Sequence, residues 1–315
     1  MFMKGIRHFK NAIKLNINKR RKLNVPPLPL SLDEVNNLCH ILETNQYKKR
    51  DHSFLLNQFK NRIIPGVDET SYVKANFLNK ICIDQIECNI IPKPQAVKLL
   101  GTMQGGYNVD ILTKLLDDIE LQYYAYKSLK NTILIFDHFH EIEKKYLNGN
   151  INAFALLESW ANAEWFLSKD KLKEKISLSV FKVSGETNTD DLSPAENAWS
   201  RPDIPLHSLC MLKFPRDGIV PDMQYETGPL KQIQRLKKKG YPVAYVGDVV
   251  GTGSSRKSAT NSILWHFGED IPHVPNKKTR GYCFGTKMAP IFFNTMEDSG
   301  ALPIEMNVDS LETGQ

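Results

Sequence analysis

The chain has no apolar run approaching the roughly 20 residues that span a bilayer, and no long apolar stretch follows its basic N-terminus as a secretory signal requires. These absences predict a cytoplasmic protein with no membrane partner. Cysteine is sparse: Cys39, Cys82, Cys88, Cys210 and Cys283 are odd in number and none stands in Cys-x-x-Cys spacing. That argues against a disulfide framework and a structural zinc site. It also argues against a self-sufficient [4Fe–4S] site, which gathers three or four thiolates on short loops. Each cysteine reads as a small buried hydrophobe. Among the eight histidines the only close pair is His138-Phe139-His140, and alternate residues of a helix do not share a face. The expectation is therefore no metal in this chain. A phosphate-binding G-x-x-x-x-G-K-[ST] loop is missing too, and no Gly-x-Ser-x-Gly elbow marks a nucleophile.

Acidic residues are missing from the first 30 positions, which hold eight Lys and Arg. Against the whole-chain charge of +6, this leaves the remainder at −2. The basicity therefore belongs to a leader, residues 1–24, whose densest part is Lys19-Arg20-Arg21-Lys22. It reads first as a solvated helix end and second as a phosphate-binding patch. At 315 residues, 41% hydrophobic and 24% charged, the chain has globular composition and room for two domains.

Strand-like alternation is also missing, before about residue 176. Ser31-Leu-Asp-Glu34 predicts a capping box, followed by Val35, Leu38, Cys39, Ile41 and Leu42 at helical spacing. Helical periodicity returns in Tyr72–Ile83, Pro94–Leu100, Leu112–Ile119, Ala125–Phe139 and Ala153–Phe166, with glycine-bearing connections. Short helices with brief loops suggest an α-solenoid or compact array. Met103, Trp160, Trp165 and Trp265 read as core residues. After a polar stretch at 169–175, Ser177–Val183 alternates with period two, as a half-buried strand does. We place a domain boundary at about 168–175, with a mixed α/β domain beyond it.

That second part carries the chemistry. The apolar, β-branched run Val243–Val250 leads into Gly251-Thr252-Gly253-Ser254-Ser255-Arg256, then into a helix-like stretch Lys257–Phe267. Strand, glycine turn and helix start together offer unpaired N–H groups and a positive dipole end to an anion. Hydroxyls and a guanidinium there suit a carboxylate or a phosphate; a purely structural turn is the other reading. A polar cluster, Gly185–Pro194, precedes it, followed by Ala198-Trp-Ser-Arg201-Pro-Asp-Ile-Pro205. The proline after Arg201 favours extended backbone there.

The segments GETNTDDLSPA, AWSRPDIPLH, AYVGDVVGTGSSRKSATNS and APIFFNTMEDSGALPIE resemble the swivel domain of the aconitase B family. IPGVDETSYVKANFL, KLLGTMQGGYN and SWANAEWFL resemble its HEAT-like helical domain. The resemblance covers roughly residues 25–315. It implies a multi-domain protein: an all-α HEAT-like array over 1–168, then an α/β swivel domain over 169–315 that ends inside its closing strands. It implies the N-terminal portion of an aconitate hydratase of the tricarboxylic acid cycle, which interconverts citrate and isocitrate through cis-aconitate. By motif position Ser254 would be the base that takes a proton from carbon. Arg201, Ser255 and Arg256 would hold substrate carboxylates, and Asp190 would orient groups of the site. The family's [4Fe–4S] cluster belongs to further domains, so no cofactor is expected in this chain and the chain alone should be inactive. The alternative is a non-catalytic fragment that forms a homodimer through the helical domain or binds mRNA. Against the mRNA reading, the sequence has no RNA-recognition signature and no basic stripe interleaved with aromatics.

Overall fold

The computed structural model describes residues 5–132, 135, 138–223 and 226–315. They form two compact units, neither continuous in sequence. The first holds residues up to 18, residues 28–172 and the short return segment 272–275. The second holds 19–27, 173–271 and 276–315.

The first unit is helical. Its elements are the first part of α1 (Ile6–Lys22), then α2 (Leu32–Thr44), α3 (His52–Asn61), α4 (Glu69–Cys82), α5 (Lys93–Leu100), α6 (Val109–Lys114), α7 (Gln122–Leu129), α8 (His138–Leu147), α9 (Ile151–Ala161) and α10 (Glu164–Leu167). Local chemistry sets the starts. Ser31 Oγ accepts from the Glu34 amide and Glu34 Oε2 accepts from the Ser31 amide at 2.9 Å, which completes the expected capping box. Asp68 caps α4, and Asn150 caps α9. The apolar stripe Val35, Leu38, Ile41 and Leu42 is buried, and it joins Phe59, Leu78, Leu100, Leu112 and Leu129 in one continuous core. The stretch 125–139, read as one helix from its periodicity, is interrupted. α7 stops at Leu129, Thr132 donates back to the Leu129 carbonyl, and α8 starts at His138. Residues 133, 134, 136 and 137 of that stretch lie outside the described residues. Among the described residues no strand precedes Ser179, and no helix is long and apolar enough to cross a membrane. Met103 is buried, whereas Trp160, Trp165 and Trp265 are half-buried, the last with the Lys278 ammonium 5.0 Å over its ring.

The second unit is α/β. Strands β1 (Ser179–Asn188), β2 (Val243–Thr252), β5 (Tyr282–Met288) and β6 (Leu302–Glu305) form a wholly parallel sheet in that order. A two-residue hairpin pair, β3 (Glu269–Asp270) and β4 (Lys278–Thr279), stands outside it. The crossovers carry α11 (Thr189–Leu192), α12 (Ile204–His207), α13 (Pro229–Lys237), α14 (Arg256–Phe267) and α15 (Pro290–Asp298). Alternation along the strands sorts the two faces. Phe181, Val183 and Tyr245 pack with Ile233, Ile263, Phe267 and Phe292 from the helices. Val180, Ala244 and Val246 point the other way, against Val308 near the chain's end. β2 sits between β1 and β5, and its run from Val243 to Gly247 is buried, as its apolar sequence predicts. Residues 224 and 225 lie outside the described residues.

Candidate anion site

Ligands of open parallel sheets bind beyond the carboxyl ends of the strands. Here β1 and β2 end side by side, with Asn188 paired to Thr252. The two segments that leave these strand ends therefore meet. After β1, Asn188 caps α11 by accepting from the amides of Asp190 and Asp191, and Thr189 is buried beneath the turn. After β2 comes the glycine turn. Gly251 has φ +84°, and a Cβ there would lie 2.1 Å from Phe292 Cγ. Gly253 has φ +108°, and its Cβ would lie 2.5 Å from Thr189 Oγ1. Both positions need glycine for backbone shape and for space. That same Thr189 hydroxyl accepts from the Ser255 amide at 3.2 Å, which fixes the turn where α14 begins.

A cleft of about 700 Å³ opens at this point, lined by Arg201, Pro202, Ser254, Ser255, Arg256, Lys257, Ser258, Asn261, Ile291 and Thr295. Three lining residues are cationic and none is acidic. Arg201 donates from Nη2 to Ser255 Oγ at 2.8 Å, while its Nε is buried and has no hydrogen-bond partner among the described residues. The Ser254 hydroxyl is exposed and makes no hydrogen bond to the protein, and Arg256 makes no ion pair, among the described residues. The cleft thus brings together the Arg201 guanidinium, whose buried Nε is unpaired, a second guanidinium, the Ser254 hydroxyl and the N-terminus of a 12-residue helix. Such a set recognises a multiply charged oxyanion.

Of the residues singled out from sequence, Arg201, Ser254, Ser255 and Arg256 therefore line one cleft. Asp190 does not line it; it occupies the second position of α11 with an exposed side chain. Two side chains behind the cleft escaped the sequence reading. Buried His207 bridges two hydroxyls, with Nε2 2.7 Å from Ser193 Oγ and Nδ1 2.8 Å from Ser200 Oγ. Ser193 then donates to Ser258 Oγ at 2.8 Å, and Ser258 donates to the Ser255 carbonyl. Burial, with help from the nearby Arg201 charge, holds His207 below its ordinary pKa, which favours the neutral ring. Arg216 donates to Asp191 and to the carbonyls of Ser184 and Glu186, tying the α11 turn to β1. A lone His or Arg in a polar loop carries no signal of its own, so only the fold could reveal these partners.

The five thiols do not form a cluster site. Cys39, Cys82 and Cys88 belong to the first unit and Cys210 and Cys283 to the second. Burial pushes the Cys82 and Cys283 thiols up to about 12 and raises the other three, opposite to what an iron ligand needs. Elsewhere, ligand-type atoms of Asp110, His138 and Glu141 lie within 4.8 Å of one another. Lys114 already pairs with Asp110 at 2.7 Å and competes for it.

Comparison with known proteins places these features. A family model described as Aconitate B N-terminal domain matches residues 12–166, and one described as Aconitate hydratase 2 N-terminus matches 178–315. The chain is 55% identical over 303 residues to aconitate hydratase B of Pseudomonas aeruginosa, covering 96% of this chain and 35% of that protein. It is 53% identical over 299 residues to the Escherichia coli protein of that name, covering 95% and 34%. It is 47% identical over 313 residues to the Helicobacter pylori one, covering 98% and 35%. The chain thus spans about a third of the length of the curated relatives it matches.

Proposed function

The chain belongs to the aconitase B family as an N-terminal portion of an aconitate hydratase, and from that premise we propose that its cleft grips citrate, isocitrate and cis-aconitate by their carboxylates. The observation that carries this reading is the Arg201 Nε, a buried donor with no partner in a side chain that lines the cleft. A buried donor left unpaired costs about 1–3 kcal/mol, and a carboxylate oxygen would relieve that cost. Arg201 and Arg256 then hold separate carboxylates of one substrate, and Ser255 fixes the Arg201 fork. Ser254 is the base that takes a proton from substrate carbon. Its alkoxide draws stabilisation from the helix start and from Arg256. Asp190 acts on the site only through the turn it shares with Thr189.

The division of labour follows the family: residues 1–168 as a HEAT-like helical array and 169–315 as a swivel domain. The family's [4Fe–4S] cluster does not fit the thiols of this chain, whose pKa values burial raises. Pairing of two copies through the helical part, mRNA contact through the leader, and a cytoplasmic setting stand as secondary proposals. Arg20 is buried and ion-paired to Asp203, so it is lost from the basic cluster that would contact phosphates.

Calorimetric titration of the chain with citrate tests the reading. Binding is expected, with loss of at least about tenfold in affinity for Arg201→Lys, because Lys cannot reproduce a planar fork. Absence of citrate binding, or binding indifferent to Arg201, would overturn it.

A further inference from the structure

We propose that Arg20, from the basic leader, is a positioning residue for Arg201, holding the loop that presents its guanidinium to the anion cleft. This role rests on the tricarboxylate reading of that cleft. Arg20 lies at the end of α1, in the segment 19–27 that belongs to the second unit. Its side chain is only 7% exposed. Both terminal nitrogens bind the Asp203 carboxylate, Nη1 to Oδ2 and Nη2 to Oδ1 at 2.8 Å, and Nε donates to the Pro26 carbonyl at 2.8 Å. A two-pronged guanidinium–carboxylate pair fixes orientation as well as distance.

Asp203 is the pivot of the loop. It stands two residues after Arg201 and caps α12, accepting from the Leu206 amide. Its own amide donates to the Ser200 carbonyl at 2.9 Å, and its carbonyl accepts from the His207 amide at 2.9 Å. One residue therefore joins the turn carrying Arg201 to the short helix carrying His207. α12 has four residues and one side-chain cap, too little to hold its own direction. Arg20 supplies the fixed point. Without it, Asp203 would be a largely buried carboxylate with no counter-charge, and would turn toward water. The loop would follow, and the 2.8 Å contact of Arg201 with Ser255 would loosen.

The test uses the 315-residue chain, nitrogen-15 labelled, with citrate as probe. The Nε–H signal of Arg201 is assigned by its disappearance in Arg201→Lys. In Arg20→Met the signal is expected to shift or broaden, and citrate affinity to fall about tenfold, a loss of about 1.4 kcal/mol. Asp203→Asn should do the same, and the double variant should be no worse than either single one, because one pair is being broken. Arg20→Lys should fall between, keeping the charge and losing the fork. Should Arg20→Met fail to fold, Arg20→Lys and Asp203→Asn give the same readout. An Arg201 signal unmoved in folded Arg20 and Asp203 variants would overturn the inference. A signal that moves in a chain that binds no citrate would instead overturn the tricarboxylate reading while upholding the positioning role.

Discussion

His207 Nε2 lies 2.7 Å from the Ser193 hydroxyl, and through this contact a buried imidazole reaches the rim of the anion cleft. The path runs from Ser193 to Ser258 and on to the Ser255 carbonyl, at the first turn of α14. Replacing His207 by Phe would remove one of the two hydrogen bonds of each buried hydroxyl, leaving Ser193 bonded only to Ser258 and Ser200 only to the Asn197 carbonyl. The expected cost is roughly 2 kcal/mol or more, read as a lower midpoint in urea. His207→Gln, which restores one or both bonds, should recover part of it. Equal stability of the Phe variant and the natural protein would show that the chain of hydroxyls is not coupled.

A second prediction concerns Lys74 in α4. It is fully buried, its ammonium has no hydrogen-bond partner among the described residues, and it lies 5.5 Å from the centre of the Phe59 ring. Burial pushes its pKa down to about 8 from 10.5. The folded pKa lies below the unfolded one, so the stability contribution is intact above about 10.5 and falls as pH drops toward 8. At neutral pH the loss is complete, at roughly 3 kcal/mol from the linkage relation. Lys74→Met should therefore stabilise the first unit at pH 7 and flatten its stability between pH 8 and 10.5. A destabilised Met variant would mean that the ammonium has a partner in solution.

The sequence disclosed the elements better than the partnerships. The capping box at Ser31, the buried run Val243–Gly247 and the helix after Ser255 were legible because each rests on neighbours within a few positions. The end of α7 at Leu129 was not legible, because apolar residues continue past it and periodicity alone cannot place a stop. Arg201 and the Gly253–Arg256 turn were legible as separate motifs, although Arg201 has helical backbone (φ −53°, ψ −35°) and not the extended form its following proline suggested; their convergence follows from the parallel pairing of β1 with β2. Arg20 was misread as solvated for the opposite reason. Its partner lies 183 positions away, and nothing in a run of four basic residues marks which one turns inward.

A third prediction is a pH dependence of the second unit. His266 in α14 is buried, and its Nε2 donates to the Ser208 carbonyl at 2.8 Å. Burial drives its pKa down to about 4 from 6.5. The unfolded chain then takes up a proton that the folded chain refuses. Stability is full above pH 6.5 and declines as pH falls toward 4, by roughly 3 kcal/mol over that window. His207, shifted in the same direction, adds to the decline just below pH 6.5. Urea midpoints taken across this range should drop, and His266→Gln should reduce the slope. A flat profile in the natural protein would refute the assignment.

The last prediction separates binding from turnover. The cleft offers two guanidinium groups and, among the described residues, an unpartnered Ser254 hydroxyl at a helix start. Contacts to carboxylates that do not react stabilise substrate and transition state nearly alike, so they lower Kd and add little to rate. Catalysis needs on the order of 8 kcal/mol or more of barrier lowering. A serine hydroxyl, an extremely weak acid, supplies that only as an assisted alkoxide acting on a substrate whose developing charge is stabilised from the other side. The thiols of this chain are poorly suited to a cluster for that purpose, because burial raises their pKa values and favours the protonated form. The 315-residue chain, incubated with iron and sulfide, should therefore bind citrate without hydrating cis-aconitate. Ser254→Ala should leave citrate affinity within about threefold, because on the proposed reading that hydroxyl takes a proton and does not hold a carboxylate. The same serine replaced in a full-length relative should abolish turnover while leaving KM nearly unchanged. Measurable hydration by the chain alone, lost on Ser254→Ala, would show that the cleft carries more of the chemistry than its residues account for.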